Sequence, residues 1–297
     1  MQNQLRVQNL CYQIGKREIL KNFSFNCTNG IIALLGNNGV GKSTLMNILA
    51  GILYPHSGEV YLNEESLLSH RSYPIEKAGY LPQMFDMYHN VTGYDFLSYV
   101  YDVKKLPPQD KKQHLQQIVE DFSLQEVIRK KIGKYSGGYK RRLGIAQAVI
   151  GHPDLILVDE PTVGLDPEQR IAFRELLSRI SLHSITIIST HIIEDVELYS
   201  DKLMIIGNDH TLQFDGTVNE LIDLAKPHLL MAVIDKRELN EVRNKVHIIE
   251  EKRMADHLIQ IKYISRNKTA TVLDNSCQVR EVSLENAYIY FQHAQNL

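Results

Sequence analysis

Residues 36–43 read Gly-Asn-Asn-Gly-Val-Gly-Lys-Ser and match the pattern G-x-x-x-x-G-K-[S/T] of a phosphate-binding loop. They follow the apolar run Gly30–Leu35 and precede a helix that we predict to begin near Ser43. Glycines let backbone N–H groups curl around phosphate, and a helix N-terminus adds partial positive charge. The predicted nucleotide contacts are Asn37, Asn38, Gly39, Gly41, Lys42, Ser43 and Thr44. In this set we expect Lys42 to reach the β- and γ-phosphates and Ser43 to bind Mg²⁺. The alternative interpretation of the motif is a glycine-rich turn that merely contains Gly-Lys-Ser.

The apolar runs of the chain predict an α/β nucleotide fold. Unbroken apolar runs are typical of strands buried on both faces of a parallel sheet. Four such runs occur: Gly30–Leu35, 155–158, Ile185–Ser189 and Lys202–Ile206. Helical signals lie between them, such as Asp166-Pro167, which fits an N-cap followed by proline in the first turn. Residues 88–151 contain no comparable run, so we predict a helical insertion there, broken at Pro107-Pro108.

Two consecutive carboxylates, Asp159 and Glu160, follow the apolar run 155–158. Successive strand residues point to opposite sides, so one acid can face a magnesium ion while the next leans toward an attacking water. We therefore predict that Asp159 is a metal ligand and that Glu160 is catalytic. The alternative is a pair of solvated acids where a strand leaves the sheet.

Composition argues against several functional classes. The formal net charge of −2 gives no reason to expect nucleic acid as a partner. Cys11, Cys27 and Cys277 form no C-x-x-C pair, so we expect reduced thiols rather than disulfides or a zinc site. We predict no secretory signal and no segment with the ~20 apolar residues that span a bilayer. We therefore expect a cytoplasmic protein that reaches the inner face of a membrane through a partner chain.

The segment 135–142, Tyr-Ser-Gly-Gly-Tyr-Lys-Arg-Arg, resembles the signature segment of the ATP-binding subunits of ABC transporters. It precedes the Asp159-Glu160 strand, as in that family. Further residues match family positions: Gln83 the Q-loop, Asp166 the D-loop, His191 the switch histidine and Tyr12 the aromatic residue that stacks on adenine. The alternatives are a helix cap for Asp166, a polar strand end for His191 and an ordinary strand aromatic for Tyr12. The commonest signature has glutamine where this chain has Tyr139, which puts in doubt a contact to the opposing nucleotide's sugar.

The resemblance covers residues 1–225 as an ABC-type P-loop cassette and implies a mechanism. Two ATP molecules are expected between head-to-tail cassettes, each held by the phosphate loop of one chain and by Ser136, Gly137 and Gly138 of the other. The implied catalytic residues are Glu160, which polarises water, His191, which holds the γ-phosphate, and Lys42, which neutralises charge. The implied metal ligands are Ser43, Gln83 and Asp159. The implied partners are a second cassette, identical or paralogous, and a transmembrane permease.

Residues 226–297 predict a small α+β appendage with the order strand, helix, strand, strand, helix. Within it, segment 283–291 resembles the closing helix of ATPases that serve bacterial exporters of drugs, antibiotics and antimicrobial peptides. An ordinary amphipathic helix that covers a small sheet is the alternative.

The stretch after Gln83 is rich in aromatic side chains: Phe85, Tyr88, Tyr94, Phe96, Tyr99 and Tyr101. In the ABC family this region receives the coupling helix of the membrane subunit. We expect core packing for most of the six and a docking groove for a few, since aromatic side chains with a polar tip suit interfaces.

Three other functions fit the sequence less well than an exporter ATPase. An ABC ATPase of DNA repair or chromosome structure divides its motifs around a long coiled coil, but no heptad array separates Lys42 from Ser136. A translation-type ABC protein carries two cassettes, and this chain shows one. A regulatory module that holds ATP without turnover is expected to lack Glu160 or His191, and both are present.

Overall fold

The computed structural model describes residues 2–68, 74–162, 167–255, 257–265, 273 and 276–294. The chain forms two compact units, Met1–Asp215 and Gly216–Leu297. In chain order the first unit contains β1 (Gln4–Ile14), β2 (Arg17–Thr28), β3 (Gly30–Leu35), α1 (Lys42–Leu49), β4 (Ser57–Leu62), β5 (Glu65–Ser66), β6 (Ala78–Leu81), α2 (Gly93–Val103), α3 (Lys111–Asp121), a 3-10 turn (Ile132–Lys134), α4 (Gly137–Val149), β7 (Leu155–Asp159), α5 (Pro167–Ser181), β8 (Ile185–Ser189), α6 (Ile193–Tyr199), β9 (Lys202–Ile206) and β10 (Leu212–Gly216).

A six-stranded sheet with the order β10-β9-β3-β8-β7-β6 forms the centre of the first unit. Its strands β6, β7, β8, β3 and β9 pair in parallel, and every residue of β7 and β8 is buried. The predicted α/β fold is confirmed, and all four predicted strands belong to this sheet. The carboxyl ends of parallel strands meet at one edge, so the segments that follow β3, β7 and β8 lie close together there.

A second sheet, antiparallel with the order β2-β1-β4-β5, was not predicted. Its residues Leu5, Val7 and Phe23 are buried in the same core cluster as Ile32 and Leu34 of β3. The register of β1 against β2 is interrupted three times, so the alternation of buried and exposed residues at 23–28 does not extend along the whole pair.

Residues 88–151 are all described and contain α2, α3 and α4, with β pairing only at an isolated bridge between Thr92 and Lys131. The Thr92 side chain caps α2 by accepting a hydrogen bond from the Asp95 N–H. The predicted break at Pro107-Pro108 falls between α2 and α3. Helix α4 packs against β6 and β7, and α2 packs against α3 and α4 through apolar residues.

The second unit is built around a four-stranded sheet with the order β12-β13-β11-β14. Its elements are α7 (Val218–Ala225), a 3-10 turn (Lys226–His228), β11 (Leu229–Asp235), a 3-10 turn (Lys236–Glu238), α8 (Leu239–Lys245), β12 (Val246–Ala255), β13 (Leu258–Ser265), β14 (Cys277–Gln278) and α9 (Leu284–Ala294). The predicted order of strand, helix, strand, strand and helix is present after residue 226, and the two-residue β14 is an addition.

The structure divides the chain after Asp215, ten residues before the predicted boundary between residues 225 and 226, and helix α7 lies in the second unit. Leu221 and Ala225 of α7 are fully buried, and α7 packs against α9. A capping box of Thr217 and Glu220 starts the helix just after the boundary that the structure shows. Helix α7 ends just before Lys226-Pro227, but its buried face packs against α9, which lies much later in the chain.

Candidate functional site

The phosphate-loop residues connect β3 to α1 in a conformation that depends on glycine. Gly39 and Gly41 have φ angles of 82° and 117°, which side-chain-bearing residues rarely adopt. A Cβ atom at Gly41 would lie 2.6 Å from the carbonyl oxygen of Ile19. Gly41 is also the N-cap residue of α1, and it has no side chain to occupy the first N–H groups of that helix. The loop therefore presents backbone N–H groups and the positive end of a helix, as phosphate binding requires.

Lys42 is the first residue of α1, and only 7% of its surface is exposed. Its Nζ donates hydrogen bonds to the carbonyl oxygens of Gly36, at 2.7 Å, and of Asn37, at 3.2 Å. Burial lowers the pKa of Lys42, while the nearby carboxylates Glu160 and Asp159 act in the opposite direction. The cation is thus held beside the loop and within the electrostatic reach of both acids.

The other predicted loop residues are mostly accessible. Asn38 and Ser43 are exposed, and Thr44 is half-buried. Asn37 Nδ2 donates to Asn208 Oδ1 at 2.9 Å. Asn208 lies between β9 and β10, and sequence reasoning missed it because nothing in its local sequence indicates a contact with a loop so far away in the chain.

Asp159 and Glu160 are both buried at the carboxyl end of β7. Ser189, the last residue of β8, donates its hydroxyl hydrogen to Asp159 Oδ1. The backbone N–H of Glu160 donates to Ser189 O at 3.0 Å and to Ser189 Oγ at 3.1 Å. Sequence reasoning missed Ser189, and the only available signal was a hydroxyl at the end of an apolar strand. Because both carboxylates are buried, solvated acids are not the explanation for this pair.

Glu160 and His191 lie together at this edge of the sheet. Nδ1 of His191 is 2.8 Å from Oε2 of Glu160, and the histidine side chain is 55% exposed. The contact is close but lacks the direction of a hydrogen bond, so Oε2 is a buried carboxylate oxygen without a hydrogen-bond donor among the described residues. A buried carboxylate oxygen without a donor destabilises the folded protein unless a bound molecule donates a hydrogen bond to it. Oε2 of Glu160 is therefore suited to accept a proton from water.

The signature residues Ser136 and Gly137 form the exposed start of α4. Ser136 is the N-cap and its Oγ accepts a hydrogen bond from the Tyr139 N–H at 3.4 Å. A Cβ atom at Gly137 would meet nothing within 4 Å, so the turn faces open space, and Gly138 beside it is half-buried. This turn offers the N-terminal N–H groups of a helix to a ligand outside the chain.

Tyr139, which replaces the usual glutamine, makes contacts within its own chain. Its ring lies edge-on to Tyr135, with the centroids 6.3 Å apart, and the Arg142 guanidinium lies 5.5 Å from the centroid. Its hydroxyl donates to Glu126 Oε2 at 3.5 Å. The phenol is therefore directed toward the helical region of the same chain.

Three further residues, Tyr12, Gln83 and Asp166, are predicted to contact the nucleotide. Tyr12 is half-buried on β1, opposite Leu20, and lies edge-on to His56 with ring centroids 5.5 Å apart. Gln83 is exposed and follows β6. Asp166 lies outside the described residues.

The described residues contain no group of three or more His, Cys, Asp or Glu side chains that could hold a metal ion by itself. A magnesium site does not need one, since Mg²⁺ is usually held by one or two carboxylates together with substrate phosphates and water. Buried Asp159, fixed by Ser189, is a suitable carboxylate for such a site.

The aromatic side chains after Gln83 divide into two groups. Tyr101 is buried, and Phe85, Tyr94 and Phe96 pack partly buried against the core, as expected for most of the six. Tyr88 and Tyr99 are 81% and 65% exposed. Among the helices that the structure describes, none has the length and apolar character to cross a membrane.

Comparison with known proteins identifies similar chains of a single family. The family described as ABC transporter matches residues 20–163. A Bacillus subtilis protein named Uncharacterized ABC transporter ATP-binding protein YxlF is 35% identical over 73% of this chain and 72% of its own length. The Linearmycin resistance ATP-binding protein LnrL of Bacillus subtilis is 31% identical over 73% of this chain and 70% of its own.

A solved structure described as an ATP binding subunit of an ABC transporter superimposes with a TM-score of 0.67 and 25% identity. The match covers 74% of this chain and 92% of that one. The predicted family, ATPase activity and P-loop fold are thereby confirmed. The chain belongs to the family of ABC transporter ATP-binding proteins, which bind and hydrolyse ATP.

Proposed function

We propose that this ATP-binding protein powers an exporter. ATP binding closes a dimer of two cassettes, and ATP hydrolysis, for which Glu160 is the general base, reopens the dimer. The observation that supports this proposal best is the buried Oε2 atom of Glu160, which lies 2.8 Å from His191 Nδ1 without a directed hydrogen bond. A carboxylate oxygen in this state can accept a hydrogen bond from an attacking water.

The loop and the two acids have separate proposed roles in the reaction. The backbone N–H groups of residues 36–43 and the Lys42 ammonium bind the phosphates, and Lys42 neutralises charge that develops on the γ-phosphate. Ser43, Gln83 and Asp159 hold Mg²⁺, which supplies further charge neutralisation when it is bound. Glu160 orients and polarises water, and the half-exposed His191 contacts the γ-phosphate beside it.

The exposed signature turn supports a dimeric arrangement. Ser136 and Gly137 have open space in front of them, and the N–H groups there suit a phosphate that is held by a second cassette. The second cassette is a copy of this chain or a paralogue. Nucleotide then lies between the phosphate loop of one cassette and the signature turn of the other, and hydrolysis removes the group that holds them together.

We further propose that a transmembrane permease docks near the exposed Tyr88 and Tyr99, at the inner face of the cell membrane. Large exposed aromatic side chains are typical of interfaces, and Met84, which also follows β6 in the chain, is 90% exposed. The similar protein LnrL is a linearmycin resistance ATP-binding protein, and this supports a drug or antibiotic as cargo. The resemblance of segment 283–291 adds less, because Leu284 and Ala287 are buried as in any helix that packs within a small unit.

The substitution Glu160→Gln tests this proposal, because it keeps the shape of the side chain and removes the charge that activates water. We expect ATP hydrolysis to fall by about 10²–10⁴-fold, the usual contribution of a general base. ATP binding should persist, and an ATP-dependent dimer should accumulate on size-exclusion chromatography with Mg-ATP. Glu175→Gln, at an exposed position on α5, is the control and should hydrolyse ATP at the normal rate. Turnover near the wild-type rate in Glu160→Gln would refute the proposed base.

A further inference from the structure

Glu160 has an unusual backbone conformation. Its φ angle is 49°, in the left-handed region that residues with a Cβ atom rarely occupy outside turns. A strained conformation of this kind persists only where the surroundings hold it, and it is often found at functional sites. At this residue it sets the direction in which the carboxylate leaves the strand, toward His191.

Two elements hold the Glu160 peptide groups from opposite sides. Ser189 accepts both hydrogen bonds of the Glu160 N–H. On the carbonyl side, Arg141 Nη2 donates to Glu160 O at 2.5 Å and to Asp159 O at 3.1 Å. Arg141 Nε donates to Pro161 O at 2.9 Å.

The chemistry of the guanidinium group makes Arg141 suited to this task. It has five N–H donors in a rigid planar fork, and here it bridges three consecutive carbonyl groups. A lysine has a single compact ammonium at the end of a flexible stem and cannot reproduce that planar spacing. Arg141 is half-buried, and these bonds satisfy donors that burial would otherwise leave without water.

Arg141 is part of the helix that carries the signature turn. It lies one turn after Gly137 in α4, on an element packed tightly against the central sheet. The closeness of that packing is visible at Gly79 of β6, where a Cβ atom would lie 1.8 Å from Ala148 O of α4. A displacement of the start of α4 therefore shifts the Arg141 guanidinium relative to the carbonyl groups of residues 159–161.

We propose that Arg141 is a positioning residue for ATP hydrolysis, which fixes the Glu160 backbone and ties the aim of the base to the placement of α4. The inference rests on the proposed role of Glu160. If a nucleotide of the opposite site binds at the signature turn, this arrangement links that nucleotide to Glu160, because the turn and Arg141 belong to one helix.

The test compares Arg141→Lys and Arg141→Gln in the full chain with Arg179→Lys, the same substitution at an exposed position on α5. We expect kcat to fall by about tenfold to a hundredfold in both Arg141 variants, the scale of a misplaced catalytic group. The dissociation constant and KM for ATP should stay close to wild type, and Arg179→Lys should behave as wild type. A general loss of structure would instead change ATP binding.

A double-mutant cycle with Glu160→Gln provides the decisive readout. If Arg141 acts through Glu160, adding Arg141→Lys to Glu160→Gln leaves the residual hydrolysis unchanged. A second, multiplicative loss in the double variant would overturn the inference, as would a normal kcat in the Arg141 variants or lost ATP binding in both. If Glu160→Gln alone hydrolyses ATP normally, the proposed function fails first, and the inference fails with it.

Discussion

Replacing Gly41 with alanine should damage the phosphate loop far more than replacing Gly39. Both glycines have positive φ angles, 117° and 82°, and a Cβ atom in such a conformation costs about 1–2 kcal/mol. At Gly39 that is the whole expected cost, because a new Cβ would meet nothing within 4 Å. At Gly41 the Cβ would lie 2.6 Å from Ile19 O and 2.9 Å from Leu20 Cδ2. Overpacking of this kind adds about 1–3 kcal/mol.

The free energy of unfolding should therefore fall by about 1–2 kcal/mol in Gly39→Ala and by about 2–5 kcal/mol in Gly41→Ala. Urea denaturation followed by circular dichroism measures both values. ATP affinity, measured by titration of the folded variants, should fall in Gly41→Ala because Gly41 is the N-cap of the helix that begins with Lys42. Equal losses of stability in the two variants would refute the reasoning, since the close contacts with Ile19 and Leu20 occur at Gly41 and have no counterpart at Gly39.

Two other predictions concern a buried charge and the division of the chain. Burial lowers the pKa of Lys104 to about 8, so at higher pH the folded protein loses a proton that the unfolded chain keeps, and stability rises. The free energy of unfolding of the wild type, relative to that of Lys104→Met, should therefore increase by about 2 kcal/mol between pH 7 and pH 9.5. Urea denaturation at the two pH values measures this, and a difference between the two proteins that does not change with pH would contradict it. A chain that ends at Asp215 should fold and bind ATP, whereas one that ends at Ala225 should aggregate more, because α7 then lacks α9. An unfolded 1–215 chain by circular dichroism would show that the unit cannot stand alone.

The phosphate loop was predictable because one short motif determines both the path of the chain and its chemistry. Glycines at positive φ, a lysine at the helix start and a preceding buried strand occur within one local stretch. The four long strands were predictable for a similar reason, since burial on both faces of a sheet requires unbroken apolar runs. By contrast β6 has only four residues and contains a glycine, so its sequence carries too little pattern to be identified.

The residues that sequence reasoning missed act across large distances in the chain. Ser189 and Arg141 hold the backbone of Asp159 and Glu160, and Asn208 contacts Asn37. Each contact depends on which strands, helices and connections become neighbours, and a single sequence does not contain that information. The boundary before α7 was missed for the same reason, because Leu221 and Ala225 are buried by a helix near the end of the chain.

The signature departure at Tyr139 illustrates how local chemistry and tertiary contacts combine. A phosphate held at this turn would meet the N–H groups at the start of α4, and these belong to the backbone around Ser136 and Gly137. The Tyr139 side chain is directed elsewhere, toward Tyr135 and Glu126. We therefore expect substitution at residue 139 to change what the side chain offers to a nucleotide sugar and to leave the N–H groups at the start of α4 in place. The helix also keeps Arg141 at the carbonyl groups of Asp159 and Glu160, so the proposed link between the signature turn and Glu160 does not depend on glutamine at position 139.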